Sequence, residues 1–168
     1  MREQTKGIAP LIAAVQIEDI RLVEASVKTR IRSPQDVGEV DLVVDGSASI
    51  KEHNKDGSFV VLATIDAKLV PRRSHEDSAI SIRAAFELQY SLPPKFSVSR
   101  RNLDTFAQIN GVFIAWPYWR EFVESMTARM HLPPLILPVF RVRETRKTTP
   151  KKASPARHKP TNAVADST

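Results

Sequence analysis

Both tryptophans of the chain lie in one stretch, Asn110-Gly-Val-Phe-Ile-Ala-Trp-Pro-Tyr-Trp-Arg-Glu-Phe-Val-Glu-Ser-Met-Thr-Ala-Arg-Met130. Large apolar side chains recur there at spacings of three and four residues, which places them on one stripe of a helix. These are Trp116, Trp119, Val123, Met126 and Met130. Tyr118 and Phe122 form a second stripe beside the first, so the predicted helix is apolar over a wide arc.

That arc is wider than one face of a sheet usually covers, and it predicts a second partner such as another copy of the chain. We expect Trp119, Val123, Met126 and Met130 to lie in the contact between copies. Apolar and aromatic stripes on helices form the core in most proteins, so a core position is the alternative for the same residues.

The chain on either side of the helix is marked by glycine and proline. Asn110 and Gly111 predict a break or a bend between this long helix and a short preceding one, and Pro117 predicts either a helix start near Trp116 or a kink. After Met130, three prolines remove backbone donors and favour extended backbone in the residues before them. The result is an extended apolar segment over residues 132–142.

Four segments upstream alternate between apolar and polar residues, which predicts half-buried strands. They are residues 11–27, 40–50, 59–69 and 80–92. A change of phase near Glu18 and Asp19 predicts a β-bulge, and Asn54-Lys-Asp-Gly57 predicts a hairpin turn. The connections are too short for crossover helices, so neighbouring strands should be antiparallel. The predicted fold class is α+β: a four-stranded antiparallel sheet followed by a short and a long helix packed on one face.

The net charge of +6 belongs mainly to the C-terminal end of the sequence. Residues 143–168 contain seven basic and two acidic residues, whereas residues 1–142 contain 18 and 17. The end of the chain is also rich in Lys, Thr, Pro, Ala and Ser, a composition that predicts a disordered tail. We therefore divide the chain into a domain of residues 1–142 and a basic tail of residues 143–168.

Several motifs of the chain resemble the SecB family of protein-export chaperones. The resemblance rests on the order of four strands, a short helix and a long helix, and on Asp19 and Ile20 in the first strand. Its specific positions are Asn110, Pro117, Tyr118, Arg120, Glu121, Arg129, Pro133, Leu135, Leu137, Pro138 and Val139. The resemblance implies a cytoplasmic homotetramer, a dimer of dimers, that holds unfolded polypeptides in apolar grooves and delivers them to the motor SecA without ATP or another cofactor.

A peptide-binding groove is the site that this resemblance implies, and an apolar, proline-rich segment beside an aromatic helix suits many extended sequences. Candidate lining residues are Phe86, Leu88, Tyr90, Trp116, Trp119, Leu132, Leu135, Leu137 and Phe140. Phe86 and Leu88 are core residues by default, whereas Tyr90 and the segment from Leu132 to Leu137 are the stronger candidates.

The chain departs from the family in two places. The final amphipathic helix of the family is missing, because Phe140-Arg-Val-Arg143 leads directly into the polar tail. Arg83 stands on the outward face of the fourth strand, where the family presents acidic residues to SecA, and a reversed charge is repulsive at such a contact. A contact with SecA is therefore doubtful. A SecB-like chaperone dedicated to one client, such as a toxin–antitoxin module, is the alternative.

Catalytic and metal sites are not expected. The four histidines, at positions 53, 75, 131 and 158, lack ligand spacing, and the chain has no cysteine. It also has no glycine-rich phosphate loop. The remaining alternative is a nucleic-acid or ribosome-binding protein that uses its basic tail. The tail has no aromatic residue for base stacking, so its contact with RNA or with an anionic lipid would be unspecific.

Overall fold

The computed structural model describes residues 2–31, 38–72, 79–133 and 135–137; for residues 2–7 it describes the backbone only. The elements follow in the order α1 (Arg2–Ala14), β1 (Gln16–Thr29), β2 (Val40–His53), β3 (Phe59–Pro71), β4 (Ile80–Ser91) and α2 (Arg100–Arg129). The predicted α+β class with a four-stranded antiparallel sheet is confirmed. The predicted division at residue 142 and the basic tail lie outside the described residues.

The sheet has the strand order β1-β4-β3-β2, and every pair is antiparallel. The alternation seen in the sequence sets its two faces. In β3 the odd-numbered residues from Phe59 to Leu69 are buried, and in β4 the even-numbered residues from Ile80 to Tyr90 are buried. These residues form the core with α2, which packs on β2, β3 and β4. The strands β1 and β2, consecutive in sequence, lie at opposite edges.

The predicted turn and bulge are both present. Gly57 closes the β2–β3 hairpin with a positive φ of 89°, and its N–H donates to the carbonyl oxygen of Asn54 at 3.2 Å. Only glycine adopts that backbone region without a steric cost. In β1 the pairing with β4 shifts between Ile17 and Asp19, as the change of phase predicted, and it shifts again between Leu22 and Glu24.

The break predicted at Asn110 and Gly111 is wrong, because α2 is one helix of 30 residues. Gly111 is instead where α2 lies closest to the sheet: a Cβ built there would be 2.4 Å from the Cβ of Ala48 and 3.0 Å from Cγ1 of Val61. Asn110 donates its side-chain amide to the carbonyl oxygen of Phe106 within the helix. Pro117 lies inside α2 with its ring exposed, so the helix does not begin at Trp116.

Seven of the ten residues that the structure shows buried in α2 recur at every fourth position: Leu103, Ala107, Gly111, Ala115, Trp119, Val123 and Thr127. The other three, Phe106, Val112 and Trp116, lie beside this row. The small residues in the middle of the row bring α2 close to β2, and the larger ones fill the space on either side.

The first strand was predicted to begin at Leu11, and this is wrong. Leu11 belongs to α1, where Ile8 and Leu11 are buried three residues apart and α1 packs against α2. Three-residue spacing places both side chains on the same helix face. The run from Leu11 to Ile17 also fits strand alternation, and a short run of this kind cannot be assigned from periodicity alone.

Candidate functional site

An apolar pocket opens where β2 begins, β3 ends, β4 begins and α2 ends. Its volume is about 180 Å³, and it is lined by Val40, Leu69, Ile80, Thr127, Leu132, Pro133 and Leu135. The three strand residues come from neighbouring strands on the helix-facing side of the sheet. A cavity of about 150 Å³ already accepts a benzene ring. This pocket is therefore large enough for one aliphatic or aromatic side chain.

The end of α2 determines how the chain enters the pocket. The N–H of Leu132 donates to the carbonyl oxygen of Thr127 at 3.1 Å, and the N–H of His131 donates to that of Ala128 at 3.0 Å. This is a Schellman cap, which requires left-handed backbone at its C′ position. His131 takes that position with a φ of 58°, although glycine is the usual residue there. The cap turns the chain back so that Leu132 lies against the last turn of the helix.

We call Pro133 and residues 135–137 the post-helix segment. Its side chains alternate: Leu135 is partly buried, Ile136 is 83% exposed, and Leu137 is only 2% exposed. Alternation of this kind is that of extended backbone. Within the described part of the chain, the backbone of this segment forms no hydrogen bond with the sheet. The post-helix segment is therefore attached through its leucine side chains.

The predicted groove residues separate into two groups. Leu132 and Leu135 line the pocket. Phe86, Leu88, Tyr90, Trp116, Trp119 and Leu137 are buried in the core. Phe140 lies outside the described residues. The strand and tryptophan candidates therefore belong to the core of this chain, while Leu132 and Leu135 lie at the surface pocket.

Tyr90 illustrates why alternation alone could not distinguish groove from core. Its ring stacks on Phe59 at 5.0 Å and meets the edge of Phe106 at 5.3 Å. Burial raises the pKa of its hydroxyl well above the ordinary value for tyrosine. Among the described residues, neither this hydroxyl nor Nε1 of Trp119 has a hydrogen-bond partner. Both rings contribute apolar contacts to the core of the single chain.

Sequence reasoning missed four lining residues of the pocket: Val40, Leu69, Ile80 and Thr127. The sequence signal of these residues is weak, because an apolar residue at the end of a strand gives the same alternating pattern whether a helix or solvent lies above it. The order of the strands brings the three strand residues together.

The four residues predicted to contact another copy differ in their exposure. Trp119 and Val123 are 0% exposed in the single chain, so they cannot touch a second chain without leaving their own core. Met126 and Met130 are partly buried. The exposed large apolar side chains of α2 are Phe113, 54% exposed, and Tyr118, about 140° further round the helix. The contact between copies predicted from the sequence stays a prediction.

The outer edge of β2 adjoins the pocket through Val40. From Val40 to Ile50 the strand pairs with β3 without a register shift, and no described residue pairs with its other side. The edge strand β1 is interrupted by two bulges, which is one way in which proteins protect sheet edges. The edge of β2 therefore offers the longer regular row of backbone donors and acceptors.

On the sheet face away from the helices, one carboxylate joins both edge strands to the centre. Glu87 on β4 is an ion-pair partner of Lys51 from β2 and of Arg21 from β1, with Arg21 Nη2 at 2.5 Å. Hydrogen bonds from Lys51 and then Arg21 lower the pKa of Glu87. Arg83 lies on the same face, with Nη1 at 3.8 Å from Oδ2 of Asp66. Charges of both signs are therefore paired with one another there.

The described residues contain no group of three or more His, Cys, Asp or Glu residues that could hold a metal ion. His53 lies at the end of β2 and His131 in the cap of α2, while His75 and His158 lie outside the described ranges. No helix in the part of the chain that the structure describes is long and apolar enough to cross a membrane.

No protein-family model matches the chain, and no curated protein matches it significantly. Among solved structures, it is similar to the Mycobacterium tuberculosis SecB-like chaperone Rv1957 in complex with a ChAD peptide from the Rv1956 HigA1 antitoxin. The two are 22% identical with a TM-score of 0.71, and the match covers 82% of this chain and 99% of that one.

A second solved structure is a protein of unknown function from Streptococcus agalactiae, 9% identical, with a TM-score of 0.45 over 74% of this chain and 96% of that one. The likeness to the mycobacterial structure shows that this chain has a SecB-like fold, which the motifs around Asn110 and Tyr118 had implied.

Proposed function

We propose that this protein is an ATP-independent chaperone that binds extended or unfolded polypeptides at the pocket and along the adjoining edge of β2. The observation that carries the proposal is an open apolar pocket of about 180 Å³ beside an unbulged strand edge. It needs no cofactor, because binding here is association without bond making. The cytoplasm and a non-enzymatic role belong to the same proposal.

The two parts of this site recognise different features of an extended chain. The pocket accepts one apolar side chain, which gains roughly 1.5–3 kcal/mol when it leaves water. The edge of β2 can pair with any backbone, since strand addition uses main-chain donors and acceptors. Such a site recognises only an apolar side chain and the polypeptide backbone. It therefore binds many sequences, as a holding chaperone must.

Two client classes fit this mechanism, and one observation favours each. General holding of export clients is favoured by the sequence-tolerant edge of β2. A dedicated client is favoured by the mycobacterial protein of the same fold, which was solved with a peptide from an antitoxin. Arg83, with Asp66 as its ion-pair partner, presents a half-exposed cation on the sheet face where the resemblance implies an acidic contact for SecA. A contact with SecA is therefore the weakest part of the export proposal.

Self-association is part of the proposed working form. Phe113 and Tyr118 are exposed aromatic side chains of α2, and they lie about 140° apart around the helix axis. We propose that copies meet through the exposed arc of α2 between these two residues, with a dimer of dimers as the expected assembly.

The test introduces a charge into the pocket. Val40→Asp places a carboxylate at the pocket wall, and Val23→Asp makes the same change at an exposed valine of β1, on the opposite edge of the sheet. Turbidity of an unfolding client is followed at equal molar amounts without nucleotide. We expect the wild type and Val23→Asp to suppress aggregation and Val40→Asp to lose most of the effect. Equal activity of both variants would show that clients bind elsewhere.

The rival function, nucleic-acid or ribosome binding, depends on residues 143–168, which lie outside the described residues. It predicts that a chain ending at Val142 loses its activity and that salt abolishes it, because exposed charges are screened beyond about 8 Å at physiological ionic strength. The chaperone proposal predicts the opposite on both counts. The same truncated chain therefore tests both.

A further inference from the structure

We propose that the post-helix segment occupies the client groove of its own chain as an internal competitor, and that a client displaces it. This inference rests on the proposed function and adds how the site is regulated. The segment is then an exchangeable occupant, in contrast to a wall that every client must contact. The two roles predict opposite responses to the same perturbation.

The first step is that the segment resembles a bound client. It alternates between leucines that face the protein and an Ile136 that faces solvent, and its Pro133 and Leu135 lie at the pocket between the ends of β2, β3 and β4. An extended polypeptide held by apolar contact would show the same alternation, since successive side chains of extended backbone point to opposite sides.

The second step is that little holds the segment there. Leu135 and Leu137 pack on the core, but no backbone hydrogen bond joins the segment to the sheet within the described residues. Apolar contacts are non-directional and can be exchanged one for another. A client that inserts its own apolar side chains could therefore replace these two leucines without breaking a network of hydrogen bonds.

The third step is that release has a defined starting point. The Schellman cap fixes Leu132 through its N–H bond to Thr127, whereas Pro133 next to it cannot donate a backbone hydrogen bond. The fixed part of the chain thus ends at Leu132. Displacement of the post-helix segment would leave α2 and its cap intact.

The fourth step is that the segment fills its site incompletely. The pocket of about 180 Å³ remains open beside Leu135. When the segment leaves, the pocket walls on the strands and on α2 stay in place, among them Val40, Ile80 and Thr127. A client that packs on these walls and pairs with the edge of β2 makes contacts that the segment does not make. A client can thus displace the segment. When no client is bound, Leu135 and Leu137 cover the apolar surface on which they pack.

The test uses the absence of cysteine from the chain. Leu137→Cys places one thiol at a buried position of the segment, and its maleimide labelling rate is measured with and without reduced, carboxymethylated lactalbumin, a permanently unfolded protein. Ile136→Cys is the exposed control. Displacement by the client should speed labelling at position 137 at least several-fold and leave position 136 unchanged. Slower labelling at both positions would mean that the client covers the segment, and the competitor role would be wrong.

Affinity measured by fluorescence anisotropy gives a second readout. Leu137→Ser weakens the internal occupant, so the lactalbumin affinity should rise about three- to tenfold, because the binding-competent fraction of the protein increases. Ile136→Ser should leave the affinity unchanged. A lower affinity of Leu137→Ser than of the wild type would overturn the inference. Leu135→Cys replaces Leu137→Cys if that variant does not fold.

Failure of the chaperone proposal itself would look different. If lactalbumin does not bind the wild type at all, the proposed function is lost, but labelling of Leu137→Cys without client still reports on the segment. Labelling faster than global unfolding shows that the segment opens on its own. Labelling only at the rate of global unfolding shows that it is a fixed part of the core and refutes an exchangeable occupant.

Discussion

Replacing Gly111 with alanine tests whether close packing of α2 on β2 governs this fold. Helix propensity alone favours the change, because alanine is better than glycine in a helix interior by about 1 kcal/mol. Packing opposes it. A Cβ at position 111 would lie 2.4 Å from the Cβ of Ala48, whereas carbon atoms rest about 3.5–4.0 Å apart. The helix would have to rise from the sheet by roughly 1 Å.

The size of the effect follows from these two terms. Overpacking a core costs about 1–3 kcal/mol. A contact between two Cβ atoms belongs at the upper end, since neither atom can rotate away. After the gain in propensity is subtracted, Gly111→Ala should lower the free energy of unfolding by about 2 kcal/mol. With a urea dependence of about 2 kcal/mol per molar, the midpoint should fall by about 1 M.

The matched variants are on the same helix and the facing strand. Gln108→Ala, at an exposed position of α2, should leave the midpoint nearly unchanged. Ala48→Gly removes the opposing Cβ, so the double variant should be more stable than Gly111→Ala alone, with a coupling free energy of about 2 kcal/mol. All urea unfolding curves are compared at one protein concentration, because self-association changes the apparent stability. A Gly111→Ala protein more stable than the wild type would refute the packing argument.

Three further predictions concern charge, assembly and the tail. Because its cation partners hold the pKa of Glu87 below its ordinary value, its stabilising effect should be present above about pH 4.3 and disappear as the pH falls through the lower folded pKa. Urea midpoints of Glu87→Gln should therefore converge with those of the wild type in acid, and a constant difference would contradict this. Phe113→Asp or Tyr118→Asp should reduce the assembly mass in light scattering. Arg101→Asp, at an exposed basic position of the same helix, should leave it unchanged. An unchanged mass in all three variants would contradict the proposed contact between copies. A chain ending at Val142 should still suppress client aggregation at about half-molar salt, since apolar burial is not screened, and loss of holding would favour the basic tail as the active part.

The parts of the molecule that the sequence predicted correctly are those decided by neighbours along the chain. Alternation identified the three strands β2, β3 and β4, since side chains of a strand face two sides in turn whatever lies above them. The Asn54–Gly57 turn and the bulge at Ile17 and Asp19 depend on local backbone conformation. The end of α2 before Pro133 follows from the local effect of proline in the same way, and Leu132 and Leu135 are the predicted groove residues found at the pocket.

Tertiary structure decided what depends on distant residues. Gly111 has the same local signature whether it breaks a helix or allows one to approach a strand, and only Ala48, far away in sequence, determines which occurs. Trp119 follows the same helical spacing in a core as in a contact between copies. The pocket requires Val40 and Ile80 to meet, which follows from the strand order. Strand order and burial arise from the free energy of the whole folded chain, so no local pattern contains them.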